Sequence, residues 1–197
     1  MAQLDWPSIA DTLWRSGEDL ENEALFSAPL HGFCFYADSY KEAADLVVEA
    51  VESGEAKPDR VCYAVLYLYH HCLELTLKGI ILLQCQYEGT ERTYGKSEHN
   101  IEKLWDLCRP ILEEAFPGGE KQETDAVERC IRQFASVDRS GELVRYPVTQ
   151  GGNLSFQNAM QLNLRNLREV MTRIVTFLSA SYDALDDLNS HVPTDGN

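Results

Sequence analysis

Apolar residues recur at helical spacing through most of the chain, and the places where that spacing fails are few and well separated. Ala43, Leu46, Val47, Ala50 and Val51 share one face of a segment that Asp38-Ser39 can cap and Gly54 ends, which predicts an amphipathic helix to about Ser53. From about Asp59 to Gln86 the chain is hydrophobic nearly all round, as a helix at the centre of a bundle is. Gly79 inside that run lowers helix propensity by roughly 1 kcal/mol relative to Ala, so its presence points to close packing against a neighbour. A third helix is predicted from about Asn100 to Phe116, with Ile101, Leu104, Trp105, Cys108 and Leu112 inward and Pro110 placed to bend or break it. Pro117-Gly118-Gly119 ends that helix, and a fourth runs from about Glu120 to Ser136. The last spans about Ser155 to Asp187, where Met160, Leu164, Leu167, Met171, Ile174, Leu178 and Leu185 form a coiled-coil-like seam. Such a seam divides between bundle core and dimer interface.

The remaining segments break the period. Asp5-Trp6-Pro7 with Ile9, Ala10, Leu13 and Trp14 predicts a short helix. Residues 24–37 mix aromatic residues with Pro29 and Gly32 and read as an irregular apolar arm over the core. Residues 87–98 form a polar loop. Residues 137–153 form a long glycine- and proline-containing loop in which Leu143 to Val148 can make a small hairpin, and loops of this length are commonly functional. The expected organisation is an all-α, four- to five-helix up-and-down bundle over residues 38–187. An N-terminal helix and arm (1–37) pack on it, and an acidic, disordered tail (188–197) follows.

Charge narrows the range of functions. Against 17 Lys and Arg stand 32 Asp and Glu, for a net charge of −15. A surface of that sign opposes broad nucleic-acid coating, which gains affinity by neutralising phosphates, while leaving room for a local basic site. The six cysteines, Cys34, Cys62, Cys72, Cys85, Cys108 and Cys130, show no CxxC pair or zinc spacing and read as reduced structural thiols. The longest apolar run, Val61 to Tyr69, is too short for a bilayer, and the opening residues carry Asp5 and Asp11 without a basic start. A cytoplasmic protein without a membrane partner is the expectation.

Candidate chemistry gathers on the central helix. Tyr67, His71, Glu74 and Lys78 are spaced by four, three and four residues, so they lie on one face of an otherwise apolar helix. Charge buried there needs partners. The face reads either as a solvated Glu74-Lys78 ion pair or as a polar pocket of titratable groups completed by a loop. The long loop supplies Asp138, Arg139, Arg145 and Tyr146: an arginine can clamp a phosphate and a tyrosine can stack on a base. The other reading of Arg145-Tyr146-Pro147 is that Tyr146 and Pro147 pin the loop while Arg145 is solvated. His70, His71, Glu74 and His99 are donors a metal could use, but one His-x-x-Glu lacks the second half that a di-iron bundle needs, so no metal is expected. Nor is a cofactor: no phosphate-cradling glycine loop, dinucleotide fingerprint or Ser-His-Asp order is present.

The stretch from Cys62 to Leu107 resembles the signature region of the HEPN superfamily (higher-eukaryote and prokaryote nucleotide-binding domains). The similarity is carried by Glu74-Leu75-Thr76-Leu77-Lys78 on a long apolar helix, then His99-Asn100-Ile101-Glu102-Lys103-Leu104 opening the next helix. It covers about a quarter of the chain and places it as a divergent member. The resemblance implies a helical bundle that usually dimerises, often within bacterial defence or toxin-antitoxin systems, and engages a protein partner, a nucleotide or RNA. It also implies an alternative, metal-independent endoribonuclease activity that uses an Arg, four to six residues, and a His. Arg92 and His99 meet that spacing. In the enzyme reading His71 or His99 acts as acid or base on a 2′-hydroxyl, with Glu74 beside it, and Arg145 or Arg92 stabilises the transition state.

Overall fold

The computed structural model describes residues 9, 13, 20–24, 32–90, 96–118 and 121–190. The helix expected at residues 5–14, the C-terminal residues 191–197 and Arg92 lie outside or largely outside that set. Residues 1–30 form one unit, in which a 3₁₀ turn spans Leu20–Asn22, and residues 31–197 form a second. The second unit holds five helices: α1 (Gly32–Glu52), α2 (Pro58–Tyr87), α3 (Ile101–Ala115), α4 (Lys121–Val137) and α5 (Leu164–Ser190). It is an all-α bundle, and no β-strand occurs among the described residues. No helix among them is long and apolar enough to cross a membrane.

α2 is the axis, and α1, α3 and α5 pack around it. Its Tyr69, Leu73, Leu77, Ile80 and Ile81 are fully buried, as the all-round apolar pattern predicts. α1 meets it through small residues, Ala37, Ala44 and Val48, which let the two backbones approach closely. The buried Tyr69 hydroxyl donates to Asp45 at 2.6 Å, and Asp45 is in turn paired with Lys41, so the polar end of a core tyrosine is satisfied by the neighbouring helix. In α5, Leu164, Met171, Ile174, Leu178 and Leu185 are buried within the protomer, so the heptad seam is spent on the core. Met160 precedes the helix and is exposed.

Four expectations need correction. α1 begins at Gly32, six residues before the predicted cap. Phe33, Ala37, Tyr40 and Ala44 continue the helical stripe upstream, a period masked by the local density of aromatic residues. Ser39 is inside the helix, its hydroxyl donating to the Phe35 carbonyl. α3 runs unbroken through Pro110, whose ring lies on the exposed side, where water can serve the carbonyl left without an amide donor. α5 starts at Leu164 rather than about Ser155 and continues to Ser190, into the residues expected to be tail. In place of a hairpin over 143–148 there is one antiparallel bridge, Val148 to Leu154, around a tight turn in which the Thr149 amide donates to the Asn153 carbonyl at 2.8 Å.

α4 rests on α3 and is held there by charge. Arg109 of α3 contacts Glu113, Asp125 and Glu128, while Arg132 of α4 reaches Glu102, Asp106 and Glu128. Each pair is partly exposed and individually weak, but the shared carboxylate makes the set a network.

Gly79 is where three helices converge. A Cβ there would lie 3.5 Å from Cys34 Sγ and Phe33 Cβ of α1 and 3.7 Å from the Tyr182 ring of α5. Those are ordinary contact distances. Gly79→Ala therefore fits and removes a glycine's entropy from a helix interior, which predicts a gain of about 0.5–1 kcal/mol in urea denaturation. Gly79→Leu overfills the junction and is expected to cost about 1–3 kcal/mol. A loss of stability in the alanine variant would show that the helices are closer than described.

Candidate functional site

The apolar central helix carries a buried charged turn, and its geometry follows from the cost of burying it. Glu74 is 3% exposed. A carboxylate at that depth stays ionised only if donors surround it. Lys78, one turn on, donates to Oε1 at 2.8 Å, and His99 Nδ1 meets the same oxygen at 2.9 Å. His71 Nδ1 lies 3.8 Å from Oε2. Burial alone would raise the carboxyl's pKa, but hydrogen bonding and charge from His71, Lys78 and His99 outweigh it and bring it down to about 2. The Glu74-Lys78 pair is thus buried, not a solvated surface pair.

His99 arrives from outside the helix. A 3₁₀ turn over Lys96–His99 precedes Asn100, whose side chain caps α3 by accepting from the Glu102 and Lys103 amides. The cap fixes where the chain enters α3 and so delivers the histidine to Glu74. His99 Nδ1 is engaged by the carboxylate, while 55% of the side chain is exposed.

The opposite end of the stripe is aromatic. The Tyr67 and His71 rings are stacked, 5.8 Å apart and 8° from parallel, and Tyr40 of α1 meets His71 edge-on at 4.5 Å. Arg145 of the long loop lays its guanidinium over Tyr67 at 5.6 Å and over Tyr146 at 5.5 Å. Its Nε donates to the Gly141 carbonyl at 2.8 Å, and neither Nη makes a hydrogen bond among the described residues. Tyr146 is largely exposed.

The loop reaches this position because its root is buried. Asp138 is 2% exposed and accepts from the Ser140 and Val144 amides, so it shapes the turn instead of facing a ligand. The Arg139 side chain sits near Glu102 at 3.6 Å, while its carbonyl accepts from the Ile101 amide and from His70 Nε2, both at 3.1 Å. His70 is therefore a core histidine that ties the loop to α2, and burial holds its pKa below the ordinary value. Gly141, at φ +68°, lies against that ring, where a Cβ would come within 2.9 Å of Nδ1.

The structure thus brings Tyr67, His71, Glu74, Lys78, His99, Arg145 and Tyr146 to one region, while Asp138 and Arg139 serve the loop's own architecture. Tyr40 was not anticipated; Tyr40, Ala44 and Val48 at helical spacing could have marked it as inward. Among the described residues no group of three His, Cys, Asp or Glu side chains is arranged to hold a metal ion. All six cysteines are free, and burial pushes the Cys72 thiol up to about 12.

No protein-family model, curated protein or solved structure matches the chain. The chemistry must be read from the site itself. It offers a fixed carboxylate that orders a lysine and two histidines, beside a guanidinium lying on aromatic rings.

The carboxylate's low pKa has a signed consequence. Its stabilisation is fully present above the ordinary carboxylate range and is lost as pH falls from about 4.5 towards 2. Glu74→Gln is expected to lower stability near neutral pH by on the order of 2–3 kcal/mol, with the deficit shrinking by roughly 1 kcal/mol near pH 3.5. Urea denaturation of both proteins at the two pH values measures this. An equal deficit at both would mean that Glu74 is not held ionised by its neighbours.

Proposed function

We propose that the chain is a HEPN-like, dimerising binding or regulatory module that takes a nucleotide or single-stranded RNA at this site. The observation that carries the reading is Arg145 lying on Tyr67 and Tyr146 beside His71. A guanidinium with unengaged Nη groups suits a phosphate, and the neighbouring rings suit a base. Lys78 and His99, drawn in by Glu74, add donors to the same region of a strongly acidic protein. That combination favours one or two nucleotides over a long duplex. A bacterial defence or toxin-antitoxin type of system, with a protein partner, is the setting that the family resemblance suggests for such a module.

A second reading, a metal-independent endoribonuclease, is favoured by His99. A histidine whose Nδ1 is engaged by a buried carboxylate has its outer nitrogen set to accept the proton of a 2′-hydroxyl, and Arg145 supplies charge for the phosphorane-like transition state.

Fluorescence anisotropy with a short single-stranded RNA tests the first reading. Arg145→Ala and Tyr67→Ala are each expected to weaken binding roughly tenfold, the scale of one lost stack or phosphate clamp. Lys103→Ala, an exposed cation on α3, is expected to leave it unchanged. Absence of binding, or equal loss in the Lys103 variant, contradicts the proposal. The same RNA incubated in EDTA separates the two readings, because cleavage abolished by His99→Ala establishes the enzyme.

A further inference from the structure

α4 and α5 are separated by a groove of about 1200 Å³. Its apolar lining comes from Phe116 just after α3, Val127 and Cys130 of α4, and Val170, Ile174 and Phe177 of α5. On α5 the wall extends from Val170 to Ala184, roughly 21 Å at the α-helical rise, enough for three to four turns of another helix. The groove exceeds an ordinary small-ligand pocket, and its elongated shape suits an amphipathic helix laid apolar face down.

The charge around it specifies the partner. Arg109, Arg132, Arg139, Arg165 and Arg168 all meet carboxylates of the chain. Arg129 on the α4 wall, Arg173 on the α5 wall and Lys121 at the start of α4 also line the groove, and none forms an ion pair among the described residues. Of the two carboxylates lining it, Glu113 is occupied by Arg109, leaving Glu123. In a chain of net charge −15, cations without carboxylate partners on both walls of an apolar groove form a local basic rim. We propose that the α4–α5 groove is a docking site for an acidic amphipathic helix of a partner protein, its apolar face on Val170, Ile174 and Phe177 and its carboxylates on Arg129 and Arg173. The site is separate in composition from the Glu74 cluster and does not depend on the function proposed for it.

The test uses the full chain and synthetic 18-residue helices of two kinds. Both carry Leu at i, i+3, i+4 and i+7 spacing; one has Glu and the other Lys at the remaining charged positions. The acidic helix is expected to bind and the basic helix not, with affinity falling as salt rises. Arg129→Glu combined with Arg173→Glu changes two exposed residues and is expected to weaken binding at least roughly tenfold. Ala180→Trp, at another exposed groove position, is expected to block it, and circular dichroism checks that both variants remain folded. Failure of the acidic helix to bind, equal binding of the basic helix, or indifference to the double substitution overturns the proposal. Light scattering supplies a further outcome: a wild-type dimer that Ala180→Trp converts to monomer would assign the groove to a second copy and also overturn it. Loss of RNA binding by Arg145→Ala with helix binding retained would leave this proposal standing independently.

Discussion

The structure around the site depends on one constraint: a carboxylate placed in the most apolar helix of the protein must be surrounded by donors. Glu74 has almost no contact with water, and in such surroundings an unpaired charge is costly. Lys78 from the same helix supplies one donor, but the remaining capacity draws in His99 from the turn before α3. Polar satisfaction thus couples two helices that hydrophobic packing alone would leave free to choose among registers. It also concentrates positively charged and titratable groups at one place in a molecule whose surface is strongly negative.

A second anchoring interaction positions the loop. His70 lies next to His71 in sequence but on a different face, inside the bundle, and holds the Arg139 carbonyl that also accepts from the first amide of α3. With Asp138 closing the turn from within, the following residues emerge at a defined place, and Arg145 is laid on the Tyr67 ring. Adjacent histidines therefore have divided tasks, one structural and one facing the candidate site. Burial makes the structural one harder to protonate, and its hydrogen bond to the Arg139 carbonyl only partly offsets that.

The parts of this architecture legible in the sequence are those carried by local period. The apolar run of α2, the shared face of Tyr67, His71, Glu74 and Lys78, and the amphipathic stripes of α3 and α4 follow from spacing within one segment. What spacing could not supply is contact between segments. Nothing local says that His99 meets Glu74, that Tyr40 closes on His71, or that Asp138 turns inward instead of outward. Boundaries failed where composition masked period: aromatic crowding hid the first turn of α1, and Pro110 suggested a break that an exposed position renders harmless. The α4–α5 groove was likewise out of reach, because it depends on how far apart two correctly recognised helices stand.

The ionisation of Glu74 is the claim on which the site rests, and it can be observed directly. Protein labelled with ¹³C at glutamate side chains, with the Glu74 resonance assigned by comparison with Glu74→Gln, is titrated by NMR from neutral pH downward. The account predicts that this carboxyl stays ionised through the range where exposed glutamates titrate and begins to protonate only towards pH 2. Titration in the ordinary range near 4.5, or above it, would mean that His71, Lys78 and His99 do not hold the charge and that the site is not organised around it.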